Sequence, residues 1–265
     1  MLLSSSPWAQ ALYVFILSII RYVLFGGIAF LIFYVLLKQR SRFAKIQPRW
    51  PVGKDYQREI IYSVVTFLIF AMVPLVLNHP FVKPYTTIYP NINAHSVWYS
   101  ILIFPVMLIM HDTWFYFTHR LMHHPNLFTF FHIIHHKSTN PSPWAAFAFN
   151  PAEAVVESGI IYVFAFTIPV HIVHILVFLV FMTIYNVYGH LGFELYPRGF
   201  NKHWFGKWIN TSVNHNMHHQ YFKGNYGLYF TFWDRVMNTL QKDYDDRFEK
   251  VTSASQQLRN TAKVN

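Results

Sequence analysis

The sequence predicts an all-α integral membrane protein of about four to five transmembrane or hairpin helices, with a cytosolic helical cap that holds a histidine-rich di-metal site. Three observations lead there. Of its 265 residues, 54% are hydrophobic and only 12% charged, where soluble domains carry about a quarter. The apolar residues fall into runs that match a bilayer core needing about 20 residues. Six of the 16 histidines stand in one stretch, "HRLMHHPNLFTFFHIIHH", His119 to His136.

The first run, Ala11 to Leu37, is long enough to cross, with Arg21 inside it either snorkelling or facing the protein interior. It lacks a basic leader and a small-residue cleavage site, so it reads as a retained segment. The loop after it carries Lys38, Arg40, Arg42, Lys45, Arg49, Lys54 and Arg58, and the positive-inside rule puts that loop in the cytoplasm. Ile60 to Leu77 is the second span; the loop to Ser96 holds one basic residue, Lys83, as on a non-cytoplasmic side. Val97 to Met110 runs on into "HDTWFYFTHRLMHH", so a third helix crosses inward until Pro125 stops it. Val155 to Ile168 and Ile172 to His190 are short for full spans and read as a hairpin whose two ends face the cytoplasm. From Glu194 onward the chain is polar and aromatic and should form the cap. Residues 1–96 therefore divide as N-terminal membrane helices, 97–250 as the catalytic unit and 251–265 as a flexible tail, frayed from Gln256 to Asn265.

The net charge of +10 sits at the ends of apolar runs and suits a membrane surface; it forms no stripe for nucleic acid, and no nucleic-acid partner is expected. With no cysteine, any metal must be held by nitrogen and oxygen. On helices, residues at i, i+3 and i+4 share a face. His132, His135 and His136 can thus point one way, as can His215, His218 and His219, while His119 and His123 form a further pair. With His190 the set offers nine nitrogens, too many for one tetrahedral zinc and enough for two five- or six-coordinate irons with positions left open. His79, His95, His171, His174 and His203 read as ordinary polar residues. Metal-bound histidines donate their second nitrogen to an oxygen, which makes Asp112, Asn186, Glu153 and Asp234 candidate orienters, Asp112 first. Asp112 with Arg120 and Asp234 with Arg235 are alternatively plain ion pairs. Trp144 and Phe147 are candidate channel residues.

"HRLMHHP", "FHIIHH", "HNMHH" and "NYGLYFTFWDR" resemble the integral-membrane fatty acid hydroxylase and sterol desaturase superfamily. "HHKSTNPSPWAAFAFNPAEAVVE" is most similar to the sterol C5-desaturase branch. The resemblance covers roughly His111 to Leu240. It implies metal ligands at His119, His123, His132, His135, His136, His190, His215, His218 and His219, with His124 ranked lower. It also implies two iron ions, O2 as co-substrate, and hydroxylation or desaturation of an unactivated C–H position of a sterol-like or fatty-acyl lipid taken from the bilayer. Where the family has "AFHP" this chain has "AFNP", so Asn150 stands at a position able to alter a contact behind the ligands or the pocket entrance. No flavin or nicotinamide fingerprint is present, so electrons are expected from a cytochrome b5- or ferredoxin-like donor docking on the basic face. The implied location is a bacterial inner membrane or the endoplasmic reticulum, with the histidines on the cytoplasmic side. The competing reading is a non-enzymatic membrane metal-binding or zinc transport protein.

Overall fold

The structure, a computed structural model, describes residues 6–41 and 44–264, with the side chains of 40, 41 and 255–264 left aside. Arg42 of the basic loop and Asn265 of the tail lie outside the described residues. The described chain is helical, with isolated bridges such as Lys45 with Phe193 in place of strands.

Helix α1 (Pro7–Phe30) starts where Ser6 accepts a hydrogen bond from Ala9 N at 3.2 Å and Pro7 takes the first helical position. It passes into a π-helical turn, Leu31–Leu36, where Tyr34 donates to Leu191 O at 2.9 Å and ties the helix end to the segment after the histidine hairpin. A single turn, α2 (Lys38–Ser41), leads into the basic loop. Helix α3 (Gly53–Phe70) is capped by Asp55, whose carboxylate accepts from Val52 N, and after a turn continues as α4 (Val73–Leu77). Helix α5 (Val97–Met122) begins on Ser96 and keeps Pro105 inside it. Among the described residues, four segments are long and apolar enough to cross a membrane: Pro7–Leu36, Gly53–Leu77, Val97–Met122 and Ile172–Gly189. Exposed aromatic residues gather at both levels of the bundle, Trp8, Phe81, Tyr85 and Trp98 at one and Trp204, Phe205, Trp208 and Phe232 at the other, as interfacial belts do.

Pro125 does more than end α5. That helix stops at Met122, and Pro125 opens the next one, α6 (Pro125–Phe131), with His124 as its N-cap. One residue later α7 (Ile133–His136) begins in a new direction from His132, whose φ of −125° breaks the helix. The hairpin consists of α8 (Pro151–Thr167) and α9 (Ile172–Gly189), and α9 reaches the length of a span, longer than the dipping segment expected of it. Both hairpin ends do arrive on the histidine-bearing side. The cap is built from α10 (Ser212–Tyr221), α11 (Phe232–Val236) and α12 (Tyr244–Val264), with Val213 and Met217 of α10 packed on Tyr244 and Phe248 of α12. The tail expected to fray has a helical backbone as far as Val264.

Candidate metal centre

The nine histidines named above meet at the junction of α5, α7, α9 and α10, in two groups. His119, His123, His132, His136 and His218 form one; His135, His190, His215 and His219 form the other. Within each group one ring nitrogen per residue lies within 4.8 Å of all the others. The grouping corrects the expectation that each H-x-x-H-H run serves one face. The pairs at i, i+4 stay together (119/123, 132/136, 215/219), but His135 leaves His132 and His136, and His218 leaves His215 and His219. Residues i+3 and i+4 are about 100° apart on a helix, against about 40° for i and i+4, so a run threaded between two centres divides there. The two groups share a wall: the His136 and His219 rings stack at 4.9 Å.

The Nε2 atoms face inward. His119 and His132 are 2.9 Å apart at Nε2, and His136 Nε2 lies 3.1 Å from His123 and 3.0 Å from His218. In the second group His190 Nε2 is 3.3 Å from His135, 3.1 Å from His215 and 3.2 Å from His219. An imidazole nitrogen carries one proton or one lone pair and serves one hydrogen bond, so three such neighbours around His190 are left unexplained by hydrogen bonding. A cation explains them. Ligands bonded at about 2.1 Å stand about 3.0 Å apart at right angles and about 3.4 Å apart at tetrahedral angles. The donor set therefore fits two metal ions, one per group.

The opposite ring nitrogens are fixed by the protein. Nδ1 donates to Tyr226 O from His119 (2.9 Å), to Gly224 O from His218 (2.7 Å) and to Asn186 O from His190 (2.8 Å). His132 Nδ1 lies 2.7 Å from Glu153 Oε1, both buried. These contacts hold the tautomer that turns the Nε2 lone pair inward. Burial first, and the neighbouring imidazoles second, push His132, His136, His215, His218 and His219 well below the ordinary histidine range. Burial brings His190 to about 4. The rings are neutral and able to bind metal at neutral pH.

Asp112 does not orient a histidine. Its Oδ1 accepts the backbone N–H of Leu228, Tyr229 and Phe230 at 3.3, 2.7 and 3.1 Å. Asp234 does the same for Tyr226 and Gly227 and also accepts from Thr239 Oγ1. Arg235, expected to pair with Asp234, donates instead to Lys207 O and Thr231 Oγ1. The two aspartates clamp the loop whose Tyr226 carbonyl holds His119. Asp112→Ala would strand three buried amides at about 1–3 kcal/mol each at most, so it should lower the unfolding temperature by roughly 5 °C or more, read by thermal denaturation in detergent. Asn150 is likewise indirect. It caps α8, its Oδ1 accepting from Ala152 N at 3.0 Å, and its own N–H meets Glu153 Oε2 at 3.4 Å, which steadies the carboxylate on His132.

Comparison with known proteins agrees with this geometry. A model of the fatty acid hydroxylase family matches residues 104–239, slightly more than half of the chain. The chain belongs to the fatty acid hydroxylase family. A Delta(7)-sterol 5(6)-desaturase of Gibberella zeae is 31% identical over 199 residues, 75% of this chain and 57% of that protein. One from Leptosphaeria maculans is 28% identical over 232 residues, 86% of this chain and 60% of that one. One from Aspergillus fumigatus is 30% identical over 172 residues, 64% and 47%. The chain thus spans about half to three fifths of the length of these relatives. The resemblance to the sterol desaturase branch holds. No solved structure matches the chain.

In this member of the fatty acid hydroxylase family a cavity of about 400 Å3 runs inside the helix bundle. Its inner end is walled by Phe115, whose ring is 4.8 Å from His119, and Phe149, 5.2 Å from His135. Its far end lies under Thr86, Tyr89 and Pro90, on the opposite side of the bundle. Along α9 it is lined from Ile172 to Asn186, about 21 Å at 1.5 Å per residue. Phe147 lines it as expected; Trp144 packs instead against Tyr22, Gly26 and Gly27. His124 belongs to neither histidine group, serving as the exposed N-cap of α6. His79 and His203 make local hydrogen bonds, His171 and His174 reach Pro90 O and Ser100 Oγ, and His95 stacks on Tyr99. Sequence reasoning passed over His111 and Glu157, which line the cavity. Each is an ionisable residue within an apolar run, the signal that marks a functional position in a membrane segment.

Proposed function

We propose that this protein is an O2-dependent di-iron membrane oxidoreductase that hydroxylates or desaturates an unactivated C–H position of a sterol-like or fatty-acyl lipid. The observation that carries the reading is the meeting of two inward-facing imidazole groups with the inner end of a 400 Å3 apolar cavity. Nitrogen donors in such number suit two metals of more than fourfold coordination and leave positions for oxygen. When bound, the irons would activate O2, which would take two electrons and two protons by way of the external donor and two electrons from the lipid, giving an alcohol and one water, or an alkene and two waters. The chain's own residues supply the rest. The nine histidines hold the metals, while Glu153 and the carbonyls of Asn186, Gly224 and Tyr226 orient four of the rings. Phe115, Phe149 and the cavity walls exclude water and align the substrate.

Electrons would come from a separate acidic carrier, cytochrome b5- or ferredoxin-like, drawn to the basic histidine-bearing face, and that face would lie in the cytoplasm. A metal carrier would need its ligands near the bilayer midplane; here they gather where α5 and α9 end. Full-length protein purified in detergent should contain about two irons and consume O2 when given an artificial reductant and extracted lipids. Untargeted comparison of lipids from cells with and without the protein should show a lipid changed by one oxygen or by two hydrogens. Tightly held zinc, with no O2 uptake and an unchanged lipid profile, would overturn the reading.

A further inference from the structure

The cavity opens at its far end. Among the described lining residues, Lys83 and Pro90 alone are exposed, and both stand on the side away from the histidines. At the inner end His111, Phe147, Phe149, Glu157, Asn186 and Leu228 are all buried. The mouth forms where three segments meet. Asn78 Nδ2 donates to Gln10 Oε1 at 3.0 Å, Tyr89 N to Val170 O at 3.0 Å, and His171 Nε2 to Pro90 O at 3.2 Å. Residues 6–14, 78–100 and 168–174, which build this end, hold no Asp or Glu, and Lys83 is their one Lys or Arg. Among the described residues no carboxylate pairs with Lys83. Gln10, Asn78, Thr86 and Tyr89 line the same end with neutral polar groups, and the Tyr89 hydroxyl is buried with no partner.

A bilayer lipid keeps its polar head at the interface and points its tail inward. One that enters by this mouth therefore sends its tail ahead and leaves its head outside the apolar walls, where it keeps its water. The head then meets a positive rim with no competing acid. The inner end offers an anion little: Glu157 is itself acidic, and Thr183 and Asn186 already donate to Leu179 O at 2.7 Å and Ala146 O at 2.6 Å. Arg21, midway along α1, is the other cation on the wall, but an acid drawn that deep would be stripped of water. Resting on the reading that the cavity takes the substrate, we propose that the mouth admits an acidic long-chain lipid tail first, with Lys83 at its carboxylate or phosphate, so that oxidation falls near the apolar end of the chain. Extended hydrocarbon advances about 1.2 Å per bond. The stretch of about 21 Å from Ile172 to Asn186 thus puts the reacting carbon about 17 bonds from the head.

The test combines photo-cross-linking and binding on the full-length, metal-loaded protein in detergent. Stearic acid with a diazirine next to its carboxylate should label peptides within residues 78–100. Stearic acid with the diazirine at its methyl end should label the peptides that hold Phe115, Phe147 or Phe149. Reversed labelling, or head labelling around Arg21, overturns the tail-first orientation. Tritiated stearate and tritiated stearoyl lysophosphatidate, each set against tritiated stearylamine, separate the two sources of the acid; at least one should bind more tightly than the amine, and that one names the class of lipid. Lys83→Glu should weaken the favoured acid roughly five- to tenfold, since attraction at an exposed site is small and its reversal adds repulsion, and should tighten the amine. Equal binding of acids and amine by the native protein, or an acid preference unchanged in Lys83→Glu, overturns the proposed head site. These readouts need no O2, so they stand apart from the proposed reaction. Tail-first labelling without O2 uptake keeps the entry route and removes the oxygenase; O2 uptake with reversed labelling does the opposite.

Discussion

His218→Ala and His190→Ala should each remove one metal ion and leave the other, and both should abolish turnover. His218 belongs to the five-histidine group and His190 to the four-histidine group, so loss of either strips donors from one site while the second keeps its full set. Metal analysis should fall from about two ions per chain toward about one in each variant. Product formation should drop well beyond the 10–100-fold that follows loss of a residue merely orienting a ligand, because a reaction needing both ions cannot run on one. His190 is the more severe of the two: its Nε2 lies within 3.3 Å of His135, His215 and His219, the whole remainder of its group. His124→Ala is the internal control, since that exposed ring caps α6 and should keep both metals. Loss of both ions together in His218→Ala would show that the two groups form one inseparable cluster.

The histidines that gather at the centre and the helical architecture were legible because each rests on a local pattern. Apolar run lengths marked the spans, and histidine spacing marked the boxes. What the spacing could not show was the partition between the two groups. That depends on the break at His132 between α6 and α7, and on α10 entering so that His218 and His219 straddle the shared wall; both are products of tertiary packing. Asp112 misled for a similar reason. Two turns before His119 on the same helix, it has the right phase to support that ring, yet a loop more than a hundred residues later brings three amides to it first. The carbonyls of Tyr226, Gly224 and Asn186 were invisible in principle, since every residue has one. Glu153 was legible only as one of four acidic or amide candidates, until its 2.7 Å approach to His132 separated it from the others.

That approach makes Glu153 the residue outside the ligand set whose replacement should cost most. Its two oxygens do different things: Oε1 faces His132 Nδ1, and Oε2 meets the N–H of Asn150 at the start of α8. The carboxylate thereby links the cap of the hairpin to a ring in the five-histidine group, whose Nε2 is 2.9 Å from that of His119. Glu153→Gln keeps the shape and an acceptor oxygen but removes the negative charge that makes His132 a stronger donor to a cation. Metal affinity and turnover should each fall by about 10–100-fold, with the unfolding temperature near that of the native protein. Glu153→Ala also removes the link to Asn150 and leaves a buried imidazole N–H unpaired, so it should lose stability as well, by about 1–3 kcal/mol. A competition titration with a chelator reads the affinity, and a thermal scan of the apo-protein reads the stability. If Glu153→Gln held metal and turned over as the native protein does, the carboxylate would be no more than part of the α8 cap, and the orientation of His132 would rest on its neighbours alone.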